Sequence, residues 1–311
     1  MAQPKIAAQC LQPPQPCAFV RLCGAPYKTP LLSMPSTHHD DILDGLSQQP
    51  AQISPKYFYD QRGSELFEAI TELAEYYPTR TETALMQQHA AAIALAVGQG
   101  GTLIELGAGN CQKARNLCRL LQPSCFVGVD ISADFLQASI QGLRDDLPGL
   151  DARAVAGDLT QGVVLPGDIP HAKRVIFYPG SSIGNFDPPH ALQLLKHMRD
   201  MVDDDGGVLI GIDLPKDVAV LEAAYDDAAG VTAAFNLNAR THLNRVIGSD
   251  FDVTHWQHRA FFNVPDSRIE MHLEAKVPTQ VRWPGGARTF AQGERIHTEN
   301  SYKYAVSVST D

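Results

Sequence analysis

Leu103-Ile-Glu-Leu-Gly-Ala-Gly-Asn110 reads as a buried strand that ends in a tight turn and runs into a helix. An apolar run carrying one acid, Glu105, is followed by Gly107 and Gly109 and then by a helical pattern. That order opens a nucleotide-binding βαβ unit. Gly107 can adopt backbone angles that a Cβ resists, and Gly109 lets the main chain approach a ligand closely. Gln112 stands where dinucleotide-binding loops carry a third glycine. A plain strand–turn–helix could carry the same glycines, so the neighbouring strands decide.

Five strand-like runs follow one another, each ending near a turn signal: Thr102–Leu106, Cys125–Val129 before Asp130, Ala152–Ala156 before Gly157-Asp158, Arg174–Tyr178 before Pro179-Gly180, and Val208–Ile212 before Asp213. Helical patterns at Lys113–Leu121, Ala133–Leu143 and Pro189–Met201 separate them. The alternation predicts an α/β fold, a doubly wound parallel sheet with helices on both faces. Upstream, Asp40–Leu46 and Gly63–Ala74 carry helical spacing, and Thr79 or Thr81 is placed to cap one long helix through Val97. Beyond Asp213 the pattern changes. Val218–Ile247 is largely helical, and Phe251–Phe262, Arg268–Val277, Val281–Trp283 and Thr289–Phe290 read as antiparallel strands of a separate α+β lobe.

Composition excludes several classes. The chain has 311 residues, with Asp+Glu 35 against Lys+Arg 25, and no long basic run to meet a nucleic acid. Its apolar stretches are too short for a membrane span. The six cysteines form no CxxC pair, which fits reduced thiols in a cytoplasmic protein. The leader holds three Cys, four Pro within Pro4 to Pro16 and no acid before residue 34. It reads as a disordered leader, or as sequence ahead of a true start at Met34.

Ligands of open α/β sheets lie outside the carboxyl ends of the strands. Gly107 and Gly109 therefore face the ligand, Asp130 is placed to accept from ribose hydroxyls, and Asp158 to read an adenine amino group. Either acid alone would be read as a turn or cap residue; two acids and two glycines at successive strand ends favour a nucleotide. No GKS/T follows the loop, and the absent third glycine favours a ligand without a pyrophosphate, such as S-adenosylmethionine. Phe177-Tyr-Pro-Gly-Ser-Ser-Ile-Gly-Asn-Phe-Asp187 adds backbone amides and Asn185 to the same face. Lys56-Tyr-Phe-Tyr59 and Glu75-Tyr-Tyr77 supply polar-tipped rings able to wall a cation or to fill a satellite core. No metal site is expected. His255 and His258 would point to opposite faces of a strand, and His38-His39-Asp40-Asp41 reads as a solvated stretch.

These residues resemble the histidine Nα-methyltransferase family of ergothioneine biosynthesis. The resemblance runs from about Lys56 to Tyr304. It is carried by Tyr57-Phe-Tyr-Asp60 with Gly63-Ser64, Glu75-Tyr-Tyr-Pro-Thr-Arg80, Glu105-Leu-Gly-Ala-Gly109 and Pro179-Gly-Ser-Ser-Ile-Gly-Asn-Phe186. Ala224-Tyr-Asp-Asp-Ala-Ala-Gly-Val-Thr-Ala233, Phe235-Asn236, Arg268-Ile-Glu-Met271 and Thr298-Glu299 with Ser301 continue it. It implies a Rossmann-like methyltransferase domain (81–214 and 304–311) and an α+β substrate lobe (36–80 and 215–303), after a leader at 1–35. It implies S-adenosylmethionine against Gly107, Gly109, Lys113, Asp130, Asp158 and Leu159. L-Histidine would lie between the lobes, near Tyr59, Phe67, Tyr76, Gly180, Asn185, Tyr225, Met271, Glu299 and Ser301. Asn185 and Tyr225 match positions that hold the carboxylate end; Glu299 and Ser301 match those that recognise imidazole. Tyr59 would help wall the growing ammonium. No catalytic residue beyond substrate alignment is implied.

One departure bears on stability. The family continues past Ser-x-Lys-Tyr with a helix and further strands, whereas only seven residues follow Tyr304 here. An open sheet edge is therefore expected. The competing readings are a methyltransferase for another aromatic amino acid, an inactive truncated member, and an NAD-dependent dehydrogenase. A monomer is expected.

Overall fold

The structure is a computed structural model that describes the backbone of Cys17–Val20 and residues His38–Ala305. The expectations for the remaining leader residues and for the last six residues fall outside the described residues. The strands are β1 Cys17–Val20, β2 Ala51–Gln52, β3 Thr102–Leu106, β4 Cys125–Asp130, β5 Asp151–Ala156, β6 Arg174–Tyr178 and β7 Gly207–Asp213. They continue as β8 Trp256–Asn263, β9 Arg268–Ala275, β10 Thr279–Trp283, β11 Gly286–Phe290 and β12 Arg295–Tyr302. The helices are α1 His38–Ser47, α2 Gln61–Thr71, α3 Tyr77–Gln88, α4 Ala90–Val97 and α5 Gln112–Leu121. After these come α6 Ala133–Asp146, α7 Pro188–Asp200, α8 Val218–Ala223 and α9 Val231–Ile247.

Two compact units share these elements: Met1–Leu31 with Pro78–Pro215 and Lys303–Asp311, and Leu32–Tyr77 with Lys216–Tyr302. The first unit is built on a six-stranded sheet of order β1-β7-β6-β3-β4-β5. Strands β3 to β7 are parallel, and β3 pairs with both β4 and β6. The chain order therefore reverses at β3 and β6, the switch point of a Rossmann-like fold. Alternate residues of each strand enter opposite cores. Leu103, Phe126 and Phe177 face one helical layer, while Ile104, Val127 and Ile176 face the other.

The five parallel strands match the expected runs to within a residue at each end. Three expectations change. The helix predicted to run through Val97 is two helices, broken at His89. It starts at Tyr77, with Pro78 in the first turn, where a missing N–H costs nothing, so neither Thr79 nor Thr81 caps it. Thr79 instead accepts from Thr83 Oγ1 through its main-chain oxygen. The edge of β7 expected to stand open is paired antiparallel with β1, from Cys17↔Asp213 to Val20↔Ile210.

The second unit carries a four-stranded sheet of order β2-β12-β9-β8 and the hairpin β10-β11. The strand β12 was not anticipated. His38–Asp41, read as a solvated stretch, begins α1. Asp41 there pairs with Lys56 at 2.7 Å and accepts from the Tyr57 hydroxyl at 3.0 Å. The helix α9 packs on this sheet through Phe235, Ala239 and Leu243, all buried.

Candidate functional site

In the first unit the loops after β3 and β6 flank the switch point. Gly107, Gly109 and Gly180 have φ of 71°, 50° and 78°, which a side chain would strain. Among the described residues, chain neighbours apart, no atom lies within 4 Å of a Cβ added at Gly107 or Gly109, so both leave room for a ligand against bare backbone. Gly107 and Ala108 donate to the Val129 oxygen at 2.8 and 3.0 Å, locking the loop on β4.

Asp130 ends β4 and accepts from Gly109 N at 3.0 Å and Ser132 N at 2.9 Å. It thus shapes the glycine turn, the role each acid alone would suggest, while each oxygen keeps a second lone pair for a ligand donor. Burial raises its carboxyl above the usual range and the backbone N–H groups pull it back. Asp158 accepts from Thr160 N at 2.9 Å and Thr160 Oγ1 at 2.6 Å, beside half-buried Leu159. Asn185 ends a short 3-10 turn, Ser182–Asn185, directly after Gly180 and Ser181.

Beneath these loops lies a residue that the motif reading passed over. Glu82 of α3 is 2 % exposed. It pairs with Lys113 Nζ at 2.6 Å and accepts from Gly180 N at 2.8 Å. One carboxylate therefore ties the lysine of the β3 loop's helix to the turn after β6. Gly211 makes the space: a Cβ there would sit 2.0 Å from Glu82 Oε1. Glu82 lies three residues from buried Leu85 on the same helix face; that spacing is the one signal the sequence offers.

Glu105 is 2 % exposed, and its Oε2 has no hydrogen-bond partner among the described residues. Burial pushes its carboxyl well up; Lys113 opposes, and Glu82 and Asp130 add to the rise. Three enclosed carboxyl groups against one lysine suit a ligand that brings positive charge. S-Adenosylmethionine does so through its sulfonium and ammonium groups, and the open glycine turn fits its close approach. The residues therefore fit this cofactor.

The remaining candidates cluster in the second unit. Tyr59, Phe67, Tyr76, Tyr225 and Met271 belong to one apolar cluster with Phe235. Its rings meet edge-on: Tyr59–Phe67 at 5.7 Å, Phe67–Tyr76 at 6.2 Å and Tyr76–Tyr225 at 6.1 Å. Glu299 pairs with Met271 across β12 and β9. The Tyr225 hydroxyl donates to Ser301 Oγ at 2.7 Å, with both residues buried. Of the nine candidate substrate residues, these seven fall in the second unit, while Gly180 and Asn185 fall in the first.

His255 and His258 do not form a pair. His255 Nδ1 meets Thr279 Oγ1 at 3.0 Å, whereas His258 is engaged at both ring nitrogens elsewhere. A third grouping, Glu270, His272 and His297, has ligand atoms within 4.8 Å of one another. Arg268 lies 2.7 Å from Glu270, however, and the two imidazoles stack at 22° with centroids 4.8 Å apart. Stacked rings direct their lone pairs alongside each other, not onto one cation, and the guanidinium already neutralises the acid.

Comparison with known proteins identifies the family. The family model for histidine-specific, S-adenosylmethionine-dependent methyltransferases matches residues 38–310. The chain is 39% identical over 271 residues to the histidine N-alpha-methyltransferase of Mycolicibacterium smegmatis, covering 85% of this chain and 83% of that protein. The Mycobacterium tuberculosis protein of the same name gives the same identity and coverage, 39%, 85% and 83%. Ergothioneine biosynthesis protein 1 of Neurospora crassa is 30% identical over 82% of this chain and 30% of its own length. With a bare glycine turn at the switch point and a family match over most of its length, this chain belongs to the S-adenosylmethionine-dependent histidine-specific methyltransferases.

Proposed function

We propose that the protein transfers three methyl groups in turn to the α-amino nitrogen of L-histidine, giving hercynine, as the first step of ergothioneine biosynthesis. The observation that supports this most is the buried Tyr225–Ser301 hydrogen bond beside Glu299. It joins the residue matched to the substrate's backbone end with one matched to its imidazole.

The bound cofactor supplies an activated methyl group that carries its own leaving group. The protein's task is alignment. Asn185 and Tyr225 hold the amino-acid end. Glu299 accepts from one imidazole nitrogen, and the Ser301 hydroxyl serves the other. An indole has one N–H and no acceptor, so this pair favours histidine over tryptophan. The amine has to be neutral to attack; an α-amino group of pKa about 8 loses its proton more readily when desolvated. The edge-on rings of Tyr59, Phe67 and Tyr76 provide such surroundings and can face the ammonium that builds up.

The protein is further proposed to act as a cytoplasmic monomer. Free thiols at Cys111, Cys118 and Cys125 fit a reducing compartment, and among the described residues no helix is long and apolar enough to cross a membrane.

Incubation with S-adenosylmethionine and a panel of histidine, tryptophan and tyrosine tests the reading. Products carrying one, two and three methyl groups are expected on histidine alone. Folded protein that leaves histidine unmodified defeats it. Stabilisation by S-adenosylhomocysteine but not by NAD is expected in thermal melting, because a ligand stabilises only a fold that binds it.

A further inference from the structure

Behind Tyr225 and β12 runs a chain of buried and half-buried hydrogen bonds to which no role has been assigned. His258, in β8, has Nε2 2.9 Å from the Tyr225 main-chain oxygen and Nδ1 2.8 Å from Asn236 Nδ2. Asn236, in α9 and 0 % exposed, also donates through Nδ2 to the His272 oxygen at 3.0 Å. Its Oδ1 accepts from Thr298 Oγ1 at 2.9 Å, and that hydroxyl also lies 3.0 Å from the Met271 oxygen.

Peptide oxygens fix the protons of the amide and of the imidazole along this chain, because a carbonyl only accepts. The His272 oxygen sets the orientation of the Asn236 amide, so the amide's second N–H points at His258 Nδ1. That nitrogen has to offer a lone pair, and Nε2 has to carry the proton that it donates to Tyr225. One neutral tautomer satisfies both partners of the ring. An imidazolium would set Nδ1–H against an amide N–H. The charged groups around the ring do not reverse this. Burial is the largest influence and lowers the His258 pKa below the usual value. Asp226, 3.9 Å from Nε2, and Asp227, both in the α8–α9 connection, oppose it, while Arg259 of β8 reinforces it.

The far end of the chain grips an irregularity. His297 pairs with His272 and Glu299 with Met271, so Thr298 is the extra residue of a β-bulge. A bulge re-aims the side chains beyond it, which here are Glu299 and Ser301. The Tyr225–Ser301 bond closes the circuit.

We propose that His258 and Asn236 are positioning residues for substrate recognition: a neutral, single-tautomer imidazole and its amide partner hold the Tyr225 backbone and the Thr298 bulge, so that Tyr225, Glu299 and Ser301 meet the substrate as one surface. The proposal rests on the histidine-methylation reading above.

The test combines kinetics with nitrogen NMR on the full chain. His258→Leu is expected to raise KM for histidine about tenfold, as loss of a buried hydrogen bond does, with KM for S-adenosylmethionine within about twofold. His258→Gln keeps an N–H donor and cannot be protonated, so it should recover most of that loss. Asn236→Asp, whose carboxylate favours imidazolium, should raise the titration midpoint of His258 and move the acid limb of kcat/KM for histidine to higher pH. NMR of the ligand-free wild type should show His258 protonated at Nε2 alone at pH 6. A folded His258→Leu enzyme with wild-type KM for histidine overturns the positioning role, as does an Nδ1–H tautomer. If His258→Leu does not fold, the tautomer and the Gln variant decide. A wild type inactive on histidine overturns both this role and the function it rests on; an active wild type with an indifferent variant overturns this role alone.

Discussion

Lys303→Ala is expected to cost about 3–5 kcal/mol of stability, the range for stripping one partner from a buried ion pair. Lys303 Nζ lies 3.0 Å from Asp213 Oδ2, and both side chains are 0 % exposed. Without the lysine, the enclosed Asp213 carboxylate loses the cation that faces its Oδ2. The damage would spread, because Asp213 is a junction. Its N–H donates to Ser181 Oγ at 2.9 Å, its main-chain oxygen accepts from Tyr304 N at 2.9 Å, and Oδ1 accepts from Leu214 N at 3.0 Å. The end of β7, the turn after β6 and the last described residues all hang on it. For a unit of this size the loss is a fall in melting temperature on the order of 10 °C. Replacing both partners, as Asp213→Leu with Lys303→Met, should recover much of the loss, since apolar pairs of similar volume often match buried ion pairs. A single variant that melts within about 2 °C of the wild type contradicts this account.

Glu82→Ala is expected to weaken cofactor binding on the order of 100-fold, the consequence of removing a buried charge partner. Lys113 would lose its anion and Gly180 N its acceptor in a single step. Glu82→Gln is expected to fall between the alanine variant and the wild type, because an amide oxygen still accepts from Gly180 but cannot balance the lysine. Calorimetric titration with S-adenosylhomocysteine measures both. Unchanged affinity in the alanine variant would show that neither Lys113 nor the Gly180 turn depends on this carboxylate. Gly211→Ala reaches the same group from the other side, since its Cβ would press on Glu82 Oε1.

Much of the first unit was readable from residues because its strands β3, β4, β6 and β7 are buried on both faces and so appear as largely apolar runs. Ile104, Val127 and Ile176 sit at 0 % exposure in the middle of theirs. Gly107, Gly109 and Gly180 stand at the switch point, with Asp130 at the end of the neighbouring strand β4 and Asp158 just past β5. What escaped reading did so for local reasons. The strand Arg295-Ile-His-Thr-Glu-Asn-Ser-Tyr302 is mostly polar, and the bulge at Thr298 breaks the alternation that would have revealed it. The break at His89 lies ahead of an alanine-rich run that carries no stop signal. A four-residue strand in a proline-rich leader gives no period to detect. Glu82 looks like any helical acid until the space opened by Gly211 is seen. The substrate candidates were named by resemblance to a family; no periodicity would have linked Tyr59 to Ser301.

Cys111 at the end of the cofactor loop, Cys118 in α5 and Cys125 at the start of β4 are each at most 3 % exposed. Burial pushes the Cys118 thiol up to about 12 and the Cys125 thiol up to about 11, so at neutral pH neither offers the thiolate that alkylating reagents attack. These sulfurs are silent while the sheet is closed and become reactive only when it opens. The protein thus contains its own opening reporter: the alkylation rate at these three sites counts excursions of the cofactor-binding unit, and a ligand that seals the glycine turn should slow that count without touching a single thiol.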